Sequence, residues 1–353
     1  MPQSTQLYTK LPVDQRQAHV LHLAATNDPF STIKTVSKIL TSSTTSCSTL
    51  SHEEVLAIRD AVTPEYEKNL ERIMKNGHPN VLEFLIQLRE DVLFVQSKPS
   101  SDTNSLRTLS QTIHKLLTHF FSLSLLQFRQ ITYADTPALT IEKIAKKEQN
   151  HPVSSLQDLK DRLSGNNLRR CYGFFHPSLR NDPLIFVHVR LMREGKIATG
   201  MTDILGSEKL DVASDEVTGA IFYSINATKR GLRGVEFGSR LIKRAVKELK
   251  EEFGGISDFV TLSPLPGFRK WVNEQEGGAK VEGEGGELEY ERLDKFADKY
   301  LASKDKSGKP VNSVARFHMG NGAKILQINR NGDMSKRGMD SSFGYMVNYR
   351  YEM

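Results

Sequence analysis

Along the first third of the chain the apolar positions recur every three or four residues, the period of a helix that buries one face. Leu70, Ile73, Met74, Val81, Leu82, Leu85 and Leu88 form one such series. Leu106, Leu109, Ile113, Leu116, Leu117, Phe120 and Phe121 form another. Gly77-His78-Pro79 interrupts the first series and predicts two helices where an unbroken pattern would give one. Ser51 and Glu54 have capping-box spacing. Thr63-Pro64 predicts an N-cap followed by proline at the first helical position. These stripes predict helix-on-helix packing and carry no chemistry of their own.

The period changes after about His151. Leu184 to Val189 is a nearly continuous apolar run rich in β-branched residues, which predicts a buried strand. Thr218–Asn226 predicts a second strand and Asp258–Ser263 a third. Between them Leu241, Ile242, Ala245, Val246, Leu249 and Phe253 share one helical face. Strand, glycine-containing loop, helix and strand in that order make a βαβ-like unit in a mixed domain. The Gly-, Glu- and Lys-rich stretch from Glu274 to Lys309 predicts a solvated insertion with one short helix over Leu288–Leu301. Ala323–Asn329 and Tyr345–Tyr351 predict two more strands. The whole is an α+β chain: an all-α helical domain over 1–155, then a mixed α/β domain over 156–353.

Composition narrows the class. The 353 residues fit two domains, each able to bury a core. A net charge of +6 is mild and spread along the chain, which suits a polyanionic small ligand at least as well as nucleic acid. Two cysteines, Cys47 and Cys171, offer neither a zinc spacing nor a secreted disulfide framework, so both are expected as free thiols. No apolar run is long enough to span a membrane. The expected compartment stays open between mitochondrion, peroxisome and cytoplasm, because no clear targeting signal stands in the chain.

Three segments could carry chemistry. Arg233-Gly234-Val235-Glu236-Phe237-Gly238-Ser239 leads into the helix near Arg240. Glycines let a ligand approach the backbone, and N–H groups at a helix start attract phosphate. The same loop also reads as an ordinary turn with a basic face. Leu262-Ser263-Pro264-Leu265-Pro266-Gly267-Phe268 lies at the carboxyl end of an expected strand, where open α/β sheets bind ligands. Two prolines would hold the Ser263 hydroxyl still, although Ser-Pro is also a common structural turn. His318 stands in Arg316-Phe317-His318-Met319-Gly320-Asn321-Gly322 and could serve as a general acid or base. With ten histidines in the chain, spacing alone leaves it as easily structural.

Taken together and in order, these strings resemble the malonyl-CoA decarboxylase family. Ile221–Ile225 precedes Gly231–Gly238; Leu241–Arg244, Leu262–Phe268, Trp271, Val314–His318, Asn321–Ala323 and Asn348–Tyr351 follow. His151-Pro152-Val153 and Arg169-Arg170-Cys171-Tyr172 belong to the same likeness, which is specific from about His151 to Tyr351. The resemblance implies a helical oligomerisation domain and an acetyltransferase-like, GNAT-type catalytic domain that binds CoA. It implies Ser263 and His318 as catalytic residues, with Glu236 and Tyr351 as further active-site residues. It implies Arg233–Ser239 as the malonyl-CoA-binding loop. No cofactor or metal is implied, since the thioester itself accepts electrons from the breaking bond. The implied partners are malonyl-CoA and further copies of the chain in a homotetramer, with Cys171 a possible tie between subunits. In the implied reaction His318 protonates an enolate, while Ser263 hydrogen-bonds the malonyl carboxylate or the histidine and orients one against the other.

The sequence departs from the family in three places. Two residues are added between the loop glycines relative to the usual acetyltransferase phosphate motif. The insertion between Trp271 and Asn312 is short. The chain ends just beyond Tyr351, where relatives continue. An acyl-CoA N-acyltransferase and a non-catalytic CoA-binding regulator are the alternatives.

Overall fold

The computed structural model describes residues 7–25, 36–38, 51–77, 80–99, 103–123, 126–148, 150–165, 168–179, 181–193, 196–206, 216–275 and 289–352. The chain forms two compact units. One comprises residues 1–127 with 175–184 and 227–236; the other comprises 128–174, 185–226 and 237–353.

The first unit is helical: α1 Val13–Ala25, α2 His52–Val62, α3 Glu65–Lys75, α4 Val81–Gln96 and α5 Thr103–Leu123. Ser51 caps α2 through the expected capping box. Thr63 differs from expectation. It closes α2, its hydroxyl donating to the Arg59 carbonyl, and Pro64 is the N-cap of α3. Thr63 is held as the C-cap of α2, its N–H and hydroxyl both on the Arg59 carbonyl, and Pro64 stands between it and the first residue of α3. The break between α3 and α4 falls at Gly77, whose φ of +63° suits glycine; His78 and Pro79 lie outside the described residues. Leu82, Leu85, Leu88 and Val92 of α4 are buried, as are Leu106, Leu109, Ile113 and Leu117 of α5. The segment around 230 belongs to this unit and forms a 3₁₀ turn over Arg230–Leu232.

The second unit carries a mixed sheet, eight-stranded among the described residues. Its strands are β1 Gln127–Gln130, β2 Arg169–Phe175, β3 Pro183–Arg193, β4 Val217–Ala227, β5 Asp258–Thr261, β6 Ser263–Pro264, β7 Ala323–Asn329 and β8 Met346–Tyr351. The order is β1-β2-β3-β4-β5-β8-β6, with β7 on β8. Helices α6 Ala138–Lys147, α7 Leu156–Arg162, α8 Met201–Leu205, α9 Phe237–Glu252, α10 Phe268–Gln275, α11 Tyr290–Ala302, α12 Ser313–Gly320 and α13 Lys336–Ser342 complete the chain. The fold is α+β, as expected. The βαβ unit is β4-α9-β5, a parallel pair in register from Gly219↔Asp258 to Phe222↔Thr261.

Two expectations in this unit change. The strand expected over Asp258–Ser263 ends at Thr261, because Ser263 and Pro264 leave β4 and pair with Val347 and Met346 of β8. The helix expected within the solvated insertion forms as α11, but it is not merely solvated: its Leu293, Ala297, Tyr300 and Leu301 are buried. Its charged residues occupy the outer face and dominate the composition, which hides the buried stripe. Leu288, where that helix was expected to begin, lies outside the described residues.

A buried polar cluster braces β4. The Glu148 carboxylate accepts from Ser224 Oγ at 2.8 Å, Asn226 Nδ2 at 3.0 Å, and the backbone N–H groups of Asn150 and His151 at 3.0 and 3.1 Å. His188 Nε2 comes within 3.5 Å of Glu148, but those donors already compensate the charge. Burial holds His188 neutral, its pKa lowered to about 3. Cys171 is a free thiol buried in β2, and burial pushes its pKa up, so it is no accessible nucleophile. No helix among the described residues is long and apolar enough to cross a membrane.

Candidate active site

The parallel ladder ends at Phe222↔Thr261, with one further hydrogen bond from the Leu262 N–H to the Phe222 carbonyl. Beyond that point β4 and the Ser263 segment take different partners. Such a divergence at the carboxyl ends of parallel strands is where α/β sheets accommodate ligands. Residues 261 and 263 are two apart in extended backbone and face the same side. Ser263 Oγ donates to Thr261 Oγ1 at 3.0 Å.

The turn after Ser263 is pinned. The Pro266 carbonyl accepts from Tyr300 Oη of α11 at 2.8 Å and from Asn312 Nδ2 at 3.1 Å. Asn312 is also the N-cap of α12, its Oδ1 accepting from the Ala315 N–H at 2.8 Å. One asparagine thus ties the serine turn to the helix that carries the histidine. From α12, His318 reaches inward, and its Nε2 lies 3.0 Å from Ser263 Oγ. Its Nδ1 lies 2.8 Å from Tyr351 Oη, on β8. The imidazole stacks on Tyr349, with ring centroids 4.7 Å apart and planes 24° from parallel.

Thr261 is the far end of this chain of polar groups. Its hydroxyl also accepts from the Tyr349 N–H at 3.2 Å. Its carbonyl accepts from Asn348 Nδ2 at 2.7 Å, while Asn329 Nδ2 donates to Asn348 Oδ1 at 2.6 Å. Asn348 therefore locks β5, β7 and β8 together beneath the site.

The group is nearly sealed: Ser263 is 6% exposed and His318 5%. Desolvation lowers the His318 pKa to about 3, so the ring is neutral at neutral pH. Burial pushes the Tyr351 phenol up, so it keeps its proton. A protonated phenol donates; Nδ1 of a neutral imidazole then accepts, and Nε2 carries the single N–H, aimed at Ser263. The arrangement can pass a proton from Tyr351 through His318 toward Ser263.

The expected loop is split between the units. Arg233, Gly234 and Glu236 are exposed and belong to the first unit with Val235; the charge of Glu236 acts there on His114. Phe237, Gly238 and Ser239 begin α9 in the second unit. A Cβ on Gly238 would fall 2.8 Å from the Phe317 ring, so the absence of a side chain lets α9 sit against the residue preceding His318. The structure thus gathers Ser263, His318 and Tyr351 into one hydrogen-bonded group. It adds Thr261, Asn312, Asn348 and Tyr349, which were not singled out as site residues. The Thr261/Ser263 two-residue spacing and the polar Asn348 inside an apolar strand were the available signals. Among the described residues no group of three or more His, Cys, Asp or Glu side chains is arranged to hold a metal ion.

A buried hydroxyl–imidazole–phenol chain lies beside diverging parallel strands in an α+β domain. The family model for the malonyl-CoA decarboxylase C-terminal domain matches residues 124–284 and 278–353. Malonyl-CoA decarboxylase, mitochondrial, of Rattus norvegicus is 34% identical over 335 residues, covering 83% of this chain and 67% of the relative. The Anser anser anser protein of the same name is 32% identical over 337 residues, covering 83% and 65%. The chain thus spans about two thirds of the length of these curated relatives. The solved malonyl-CoA decarboxylase of Rhodopseudomonas palustris superposes with a TM-score of 0.83 at 32% identity, covering 98% of this chain and 86% of that one. The Agrobacterium vitis structure gives 0.80 at 29%, covering 99% and 87%. The chain belongs to the malonyl-CoA decarboxylase family.

Proposed function

We propose that this protein converts malonyl-CoA to acetyl-CoA and CO2, with Ser263, His318 and Tyr351 carrying the reaction. The observation that supports this most directly is the continuous Ser263–His318–Tyr351 chain inside the family-matched region. The bond between the malonyl carboxylate and the methylene carbon breaks, and its electron pair moves to the thioester as an enolate. CO2 leaves, and the carbon takes up a proton.

Burial makes that proton a neutral one. His318 has no imidazolium to offer at neutral pH, because its pKa is lowered to about 3. A neutral Nε2–H is sufficient, since the carbon of a thioester enolate is a stronger base than the imidazolate or phenolate that donation leaves behind. As the Nε2 proton moves to carbon, the Tyr351 proton moves to Nδ1, and no imidazolate forms. The negative charge arrives on the Tyr351 oxygen; a solvent proton then enters at Nε2 while the Nδ1 proton returns to Tyr351, which restores the starting tautomer. One proton is consumed per CO2 released. Without substrate, His318 Nε2–H is directed at Ser263 Oγ and the Ser263 hydroxyl donates to Thr261; a malonyl group replaces Ser263 as the neighbour of Nε2–H, which then lies near the reacting carbon, and the Ser263 Oγ–H turns from Thr261 to the carboxylate. A sealed, water-poor site strengthens each of these interactions.

Arg233–Ser239 is the segment proposed to receive the CoA portion, with Glu236 as a neighbouring polar group. The helical domain is proposed to mediate assembly into a homo-oligomer. His318→Ala tests the reaction. Turnover should fall by about 10²–10⁴, the usual worth of a positioned acid, while CoA binding measured by calorimetry persists. Unchanged turnover removes His318 from the mechanism.

A further inference from the structure

We infer that Arg89 and His114 of the helical unit are positioning residues that hold the loop Gly231–Glu236 in its substrate-receiving form. This rests on the proposal that the loop binds malonyl-CoA. The loop lies more than a hundred residues downstream of both side chains in sequence, yet residues 227–236 cluster with the helices of the first unit.

The contacts are specific and one-sided. Arg89 of α4 is 7% exposed, and its Nη1 donates to the Gly231 carbonyl at 2.6 Å. Its Nε has no hydrogen-bond partner among the described residues, and burial lowers the guanidinium pKa. A charge kept out of water with a donor left idle is a costly way to fill space; an apolar side chain would pack there at less expense. The hydrogen bond to Gly231 is what the arginine provides. One turn earlier on the same face, the Ile86 carbonyl oxygen lies where a Cβ of Gly231 would collide with it. The backbone of α4 and the backbone of the loop therefore touch directly, and only glycine fits between them.

α5 supports the middle of the loop. Gly234 has a φ of +84°, and the Cε1 of His114 lies 3.7 Å from the position a Cβ there would take. His114 Nδ1 is buried without a hydrogen-bond partner. The ring feels the charges of both Arg89 and Glu236, one from each side of the loop contact. Within itself the loop is closed by the short bonds Leu232 N–H to Lys229 O, Arg233 N–H to Arg230 O and Val235 N–H to Leu232 O, at 3.0–3.1 Å. The ion pair Lys229–Asp182 holds its upstream end. Nothing in those turns fixes the direction in which Gly234 and Glu236 project; the grip of α4 and α5 does.

The experiment uses the full chain with Arg89→Leu, Arg89→Lys and His114→Leu. For each, CoA binding is measured by calorimetry, kcat and KM with malonyl-CoA, and Tm. Arg89→Leu should weaken CoA binding and raise KM by roughly tenfold, the scale of one charge-assisted hydrogen bond, with kcat changed by less than about twofold. Arg89→Lys, which keeps a donor, should recover most of the affinity. His114→Leu leaves Arg89 in place and should raise KM several-fold, so the inference stays testable if Arg89→Leu does not fold. Variants that lose Tm but keep the KM and CoA affinity of the unsubstituted protein overturn it, since both residues would then be simple braces. If the unsubstituted protein fails to bind CoA, the reading of the loop falls and takes this inference with it; if it binds and the variants bind equally well, this inference falls alone.

Discussion

At neutral pH the His318 ring carries one N–H, and the groups on its two nitrogens decide where it points. Tyr351, which keeps its proton, is on Nδ1, so the N–H lies on Nε2 toward Ser263. Two outcomes follow. Tyr351→Phe should slow turnover strongly with little effect on CoA binding, because it removes both the tautomer lock and the second proton; equal rates in both proteins would exclude the relay. The pH profile of kcat/KM, which reports the free enzyme, should show no limb from His318 between about pH 5 and 8, the range in which an unperturbed histidine titrates. A histidine acting as imidazolium would instead give a rate that falls as pH rises through that range. Ser263, His318 and Tyr351 were legible only as members of ordered family strings; taken one at a time, Ser-Pro and a lone histidine read as structure. Thr261 and Tyr349 escaped because what they contribute, a hydroxyl two residues away and a backbone N–H, depends on a strand pairing that no local pattern encodes.

At the scale of elements, the site depends on how α9, α12 and the serine turn are fixed. Asn312 and Tyr300 converge on the Pro266 carbonyl, and Gly238 lets α9 lie against Phe317. Gly238→Ala should push the Phe317 ring and with it His318, lowering kcat more than about tenfold while leaving helix content by circular dichroism unchanged; an unaltered kcat would mean that the ring yields without moving its neighbour. The helices and most strands were readable from period because each buries one face or a continuous run. In the Gly-, Glu- and Lys-rich stretch the helix was readable but its buried face was not, and the shortest strand was not readable at all. α11 buries Leu293, Ala297, Tyr300 and Leu301 among many charges, and β6 is two residues long, recognisable only through its partners on β8.

At the scale of the molecule, burial holds His318, His188 and His151 neutral most strongly. His318 and His188 are lowered to about 3 and His151 to about 4, from an ordinary 6.5. As pH falls below about 6.5 the unfolded chain takes up protons that the folded chain refuses until pH 3–4, so the unfolded state binds more protons and stability is lost. Tm should therefore decline between about pH 6.5 and 4, and His188→Leu should flatten the decline; an identical slope in that variant would show that His188 does not contribute. The order of strings in the chain pointed to the family before any packing was visible, whereas the inclusion of residues 175–184 and 227–236 in the helical unit could not be read from a linear pattern.

The most direct test of the central claim is to incubate the purified protein with malonyl-CoA and measure acetyl-CoA and CO2 together. The account predicts equal amounts of the two, formed without added metal or cofactor, and a rate about 10²–10⁴ lower in His318→Ala. Saturable CoA binding with no CO2 released, or CO2 formed equally fast by the variant, would contradict it.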